Sequence, residues 1–78
     1  MENVIENKIK RIIADKLGVD EAVIVNDSKL TELGADSLDG VEILMEVETE
    51  FAISIPDKEM EKMKTAGDII SYIQENKK

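Results

Sequence analysis

The chain has 78 residues, no cysteine and no histidine, and 18 acids against 10 bases leave it a net charge of −8. This length supports one small domain, residues 1–78, with a thin core. Disulfides, thiolate metal sites and imidazole general bases are excluded, and so acidic a surface repels nucleic acid phosphates.

The first residues, Met1-Glu2-Asn3-Val4-Ile5-Glu6, carry no basic stretch followed by an apolar one. No run approaches the roughly 18 apolar residues of a membrane span. A soluble cytoplasmic monomer with no membrane partner is therefore expected. Aromatic content is only 3%, and the β-branched residues fall mostly at helical spacing, which predicts an all-α fold.

The first helix is predicted from Glu2 to Leu17, with Ile5, Ile9, Ile12, Ile13 and Leu17 on one apolar face and Gly18 as its stop. Val19 to Ala35 reads as a long loop with short turns. Its Val23, Ile24, Val25, Leu30 and Leu33 are expected to pack onto the core, and a loop this long in so small a domain is often functional. A second helix is predicted to open at the N-cap Asp36 and to end near Phe51, with Asp39 completing a capping box.

At about 100° per residue, Asp39, Glu42, Glu46 and Glu50 share an arc of about 80° on that helix. Leu38, Val41, Leu44, Met45, Val47 and Phe51 fill much of the opposite side. Their arc is wider than a usual apolar stripe, so partial exposure of some of them is expected. Ile53 to Asp57 is an extended connector, and Pro56 suits the first turn of a short third helix running to about Met63. Thr65 to Asp68 reads as a second capping box, opening a fourth helix through Ile69, Ile70, Tyr72 and Ile73 that frays into Glu75-Asn76-Lys77-Lys78. The predicted architecture is a small four-helix bundle of three longer helices and one short third helix, with a long loop between the first two.

Charge is unevenly spread. Between Asp36 and Glu61 lie nine acids and one base, while the rest of the chain carries nine of each. The whole net charge therefore sits in the segment that opens beside Ser37, where it would attract basic protein patches. Glu42, Glu46 and Glu50 recur at four-residue steps with no Lys or Arg on the same helix, and such like-charge pairs cost a few tenths of a kcal/mol each. A charged stripe of this kind is either a solvated face or a docking face. Met45, Met60 and Met63 similarly read either as core or as an adaptable lining.

Ser37 follows the N-cap at the exposed start of the second helix. By position alone it is a solvated helix-start residue. Asp36 already supplies the cap, however, which leaves the hydroxyl free. A phosphate ester there would meet the helix N-terminus, favourably, and two aspartates, unfavourably. Serine hydrolase chemistry has neither a His nor a Gly-x-Ser-x-Gly elbow. A calcium loop also fails. Asp39, Gly40 and Glu46 fit the later positions of an EF-hand, but Ala35 falls where the first ligand belongs, so no resident metal is expected.

Leu33-Gly34-Ala35-Asp36-Ser37-Leu38-Asp39 resembles the attachment motif of acyl carrier proteins. The likeness extends through Val41-Glu42, Glu50-Phe51, Ile53-Ser54-Ile55-Pro56-Asp57 and Thr65 to Ile73, essentially the whole chain. It implies a four-helix bundle bearing 4′-phosphopantetheine on Ser37, transferred from coenzyme A by a holo-acyl-carrier-protein synthase that uses its own Mg²⁺. The arm's thiol would hold growing fatty acyl chains as thioesters for the enzymes of fatty acid synthesis, whose basic patches would dock on the acidic face. The chain itself would catalyse nothing.

By the same resemblance, Leu38, Asp39, Glu42, Met45, Glu46 and Glu48 would face partners, adjoined by Ile55 and Asp57. Val47, Phe51, Ile55, Met63 and Ile69 would lie near an interior acyl pocket. Gly40 stands where the family often has Thr, Glu46 where a small residue is common and Thr49 where an acid is common, which leaves partner preference open. A carrier of a polyketide, peptide or D-alanyl pathway and an unmodified acidic helical adaptor are the competing readings.

Overall fold

The computed structural model describes residues 3–76. The predicted helix start at Glu2 and the frayed end at Lys77 and Lys78 fall outside them. Four helices follow in order: α1 (Asn3–Leu17), α2 (Ser37–Phe51), α3 (Asp57–Lys62) and α4 (Ala66–Asn76). No described helix is long and apolar enough to cross a membrane.

Ile9 and Ile13 of α1, Ile43 and Val47 of α2, and Ile69 and Ile73 of α4 are all fully buried. α1 packs against both α2 and α4, so these six side chains form the centre of the bundle. Each contributes about 1.5–3 kcal/mol through apolar burial. Ile5, Ile12 and Leu17 flank the α1 face, half-buried. Gly18, in the left-handed region, ends α1, with its own N–H and that of Val19 both donating to the Ala14 carbonyl, at 2.8 and 3.1 Å.

The long loop holds two 3₁₀ turns, Glu21–Val23 and Leu30–Leu33. Ile24 and Leu30 are buried and Leu33 is half-buried, as expected, but Val23 and Val25 are 56% and 55% exposed. Ile24 is extended, so its two neighbours point away from the side it buries. Across the bundle the loop is tied to the start of α4 by backbone hydrogen bonds. Leu30 N–H donates to the Lys64 carbonyl at 3.0 Å, Ala66 N–H to Ser28 at 3.1 Å, and Gly67 N–H to Asn26 at 2.9 Å.

Both capping boxes form. At α2, Asp39 N–H donates to Asp36 Oδ1 at 2.9 Å and Asp36 N–H to Asp39 Oδ2 at 3.3 Å. At α4, Asp68 N–H donates to Thr65 Oγ1 and Thr65 N–H to Asp68 Oδ2, each at 3.1 Å. Pro56 is the N-cap of α3 and not part of its first turn, and Met63 is its C-cap. None of the six residues of α3 is buried.

Candidate functional site

The capping box fixes where α2 begins and so fixes Ser37 as its first residue, exposed to solvent. Among the described residues, no side chain is hydrogen-bonded to Ser37 Oγ. The N–H groups of Ser37 and Leu38 belong to the helical turn that lacks acceptors within the helix. The hydroxyl is thus held in place by the helix, open to approach and without a base of its own.

Ser37 stands on the edge of a groove of about 480 Å³ between α2, the loop and α3. Gly40, Val41 and Leu44 form its α2 wall, Leu30 its loop side, and Met60 and Met63 its α3 side. Lys29 and Lys64 stand at its rim. Leu30, Leu44 and Met63 are buried, so the floor of the groove is continuous with the core. The five residues expected around an interior pocket are all buried in that core: Val47, Phe51, Ile55, Met63 and Ile69. Only Met63 of the five also lines the groove; Met60, read from the sequence as either core or lining, lines it too, while Gly40 and Leu44 do so without having been expected to. Helical spacing from Ser37 was the signal for Gly40 and Leu44.

The outward-facing set divides in three. Leu38, Val41 and Met45 form an exposed apolar strip on α2, at 63%, 45% and 55% exposure. The buried face of α2 is instead Ile43, Leu44, Val47 and Phe51, so Ile43 is a core residue that the predicted apolar side omitted. Beside the strip lies the acidic stripe, which is relieved from α1. Lys16 Nζ meets Glu42 at 3.0 Å and Lys8 Nζ meets Glu50 at 3.1 Å. Glu46, between them, is exposed and has no ion pair among the described residues.

The remaining expected contacts serve the fold as well. The Glu48 carboxylate turns back on the connector and accepts the Ile55 N–H at 2.6 Å. Asp39 is half-buried within its capping box, and Asp57 is exposed at the start of α3. Ile55 is only 4% exposed, so its side chain belongs to the interior set and does not face outward.

The site can therefore present one tethered group at a helix start, beside an apolar groove and under an acidic surface. Ser37 provides an ester-forming oxygen, and the groove provides apolar walls of a size suited to an extended chain; these residues fit a phosphopantetheine arm.

A family profile described as "Phosphopantetheine attachment site" matches residues 7–73. The "Acyl carrier protein" of Thermotoga maritima is 49% identical over 69 residues, covering 87% of this chain and 85% of that protein. Among solved structures, the NMR structure of the HMG-ACPI domain from the CurA module of Lyngbya majuscula is similar, with a TM-score of 0.84. It covers 99% of this chain and 78% of its own at 23% identity, which is a likeness of fold.

Proposed function

The chain belongs to the acyl carrier protein family, carriers and not enzymes that hold 4′-phosphopantetheine covalently, and from that premise we propose that it delivers growing fatty acyl chains to the enzymes of fatty acid synthesis. Ser37 is the attachment residue in this reading, the 78 residues act as one carrier domain, and the carrier works as a cytoplasmic monomer. The observation that carries the assignment is the exposed, unpartnered Ser37 hydroxyl at the first position of α2, on the edge of an apolar groove.

Loading is a group transfer from coenzyme A. Ser37 Oγ forms a bond to the phosphorus that bears pantetheine, the bridging bond of the pyrophosphate breaks, and 3′,5′-adenosine diphosphate leaves. With no histidine in the chain, the proton of Ser37 passes to a base on the holo-synthase. When bound, the group supplies a thiol that takes acyl groups as thioesters. Asp36 and Asp39 keep the first turn of α2 intact around the esterified oxygen. Leu38, Val41 and Met45, with Glu46 beside them, offer partners an apolar strip with an acidic border.

Incubation with coenzyme A and a holo-synthase should add one phosphopantetheinyl group to the intact mass, and Ser37→Ala should abolish that gain. A gain that persists in the variant would place the attachment elsewhere. Intact mass of the protein purified from its native host should further reveal fatty acyl thioesters. Aminoacyl or D-alanyl adducts would instead assign it to another carrier pathway.

A further inference from the structure

The chain has four glycines, and three have a backbone reason. Gly18 and Gly34 lie at φ +69 and +102, where side chains are strained. A Cβ on Gly67 would come within 2.8 Å of the Asn26 carbonyl oxygen. Gly40 differs from all of these. It lies inside α2, its N–H donates to the Asp36 carbonyl at 3.1 Å, and a Cβ added to it meets nothing within 4 Å. Glycine is the least favourable helix residue after proline, because it loses the most backbone freedom on folding. The fold neither requires Gly40 nor gains from it.

What Gly40 shares with Ser37 is the groove. It lies one turn further along α2 on the same face and forms the groove wall together with Val41 and Leu44. Gly40 lines the groove and a Cβ there meets only open space, so a side chain at this position is expected to narrow the groove wall. Resting on the assignment of Ser37 as the attachment residue, we propose that Gly40 determines what the groove accepts: it keeps the α2 wall bare so that the phosphopantetheine arm, tethered at Ser37 Oγ, lies against the helix and reaches Met60 and Met63. The tether begins on the groove edge, so the arm enters without crossing solvent. The two methionines opposite are adaptable enough to follow a chain of mixed amide and methylene character.

The test compares apo and loaded forms of the native chain, Gly40→Ala, Gly40→Thr and Thr49→Ala. Thr49 lies nine residues on, about half a turn around α2 from Gly40, and serves as a control for helix propensity away from the groove. Loading of the native chain should shift the methyl resonances of Leu44, Met60 and Met63. In Gly40→Ala those shifts should fall at least twofold, and further in Gly40→Thr, while the melting temperature of apo Gly40→Ala rises. Thr49→Ala should keep the native shifts. Shifts in Gly40→Ala equal to the native ones, no shifts in the native chain, or a lower melting temperature of apo Gly40→Ala would each overturn the proposal. Intact mass on the same samples reports loading independently. A native chain that gains no mass would overturn the Ser37 assignment instead.

Discussion

Lys16 reaches from α1 to Glu42 across 26 positions of sequence and completes a pair that neither helix could form alone. The hydrogen bond to Glu42 holds its ammonium above the ordinary pKa of 10.5. Desolvation opposes that rise, and the charges of Glu42, Glu46 and Asp39 add to it. Because the folded value is the higher one, the stabilisation is complete below about pH 10.5 and is lost as pH climbs through the folded value. The stability gap between the native chain and Lys16→Met should therefore narrow as pH rises above 10.5. Melting temperatures measured across that range check it, and a constant gap would remove Lys16 as the source. The capping boxes were legible in the sequence because their partners stand three residues apart. The Lys16 and Lys8 pairs were not, because sequence spacing says nothing about which face of α1 meets α2.

At the scale of elements, α2 shows both the reach of periodicity and its limit. Its wheel separated the acids from the apolar residues, and the structure keeps that separation. The wheel could not say which part of a wide apolar arc faces α1 and α4. The buried part lies toward Ile43 and Val47, and Leu38, Val41 and Met45 are left outside. The end of α2 holds a local misfit: Ala52 caps it at φ 56 and ψ 44, the one non-glycine residue with positive φ among those described. A left-handed alanine costs about 1–2 kcal/mol, and glycine is the usual residue at such a cap. Ala52→Gly should raise stability by about 0.5–1 kcal/mol after the entropy gained by the unfolded chain is deducted. Urea unfolding measures this, and a destabilised variant would show that the Ala52 methyl contributes packing worth more than the strain.

Over the whole molecule, the charge imbalance read from the sequence becomes a surface with internal structure. Lys8 and Lys16 of α1 engage Glu50 and Glu42 of the acidic stripe, which leaves Glu46 between them without an ion pair among the described residues. Partner association steered by this face should slow by about tenfold or more as added salt shortens the Debye length from ~30 to ~3 Å. Stopped-flow rates against ionic strength test this, and a flat profile would end the steering account. Glu46→Lys should slow association several-fold at low salt, and the same stopped-flow series measures it. The bundle, its short third helix and the exposed serine were all legible from local patterns. The groove was not, because its walls come from segments far apart in sequence, and Val23 and Val25 show that apolar character alone does not place a loop residue inside.

The backbone ties between the loop and the start of α4 set how that groove can deform. On the loop side, Leu30 is buried and its N–H is bonded to Lys64, next to the ties at Ser28 and Asn26. On the other side, α3 has six residues, none buried, between Pro56 and Met63. One jaw is thus riveted and the other hinged. Moving the riveted jaw would break several hydrogen bonds at once, whereas a swing of α3 leaves those bonds intact and gives up half-buried contacts such as that of Met60. The groove is thus built like a caliper: added length or bulk should be met first by a rotation of α3, with the loop that leads to Ser37 held by its ties.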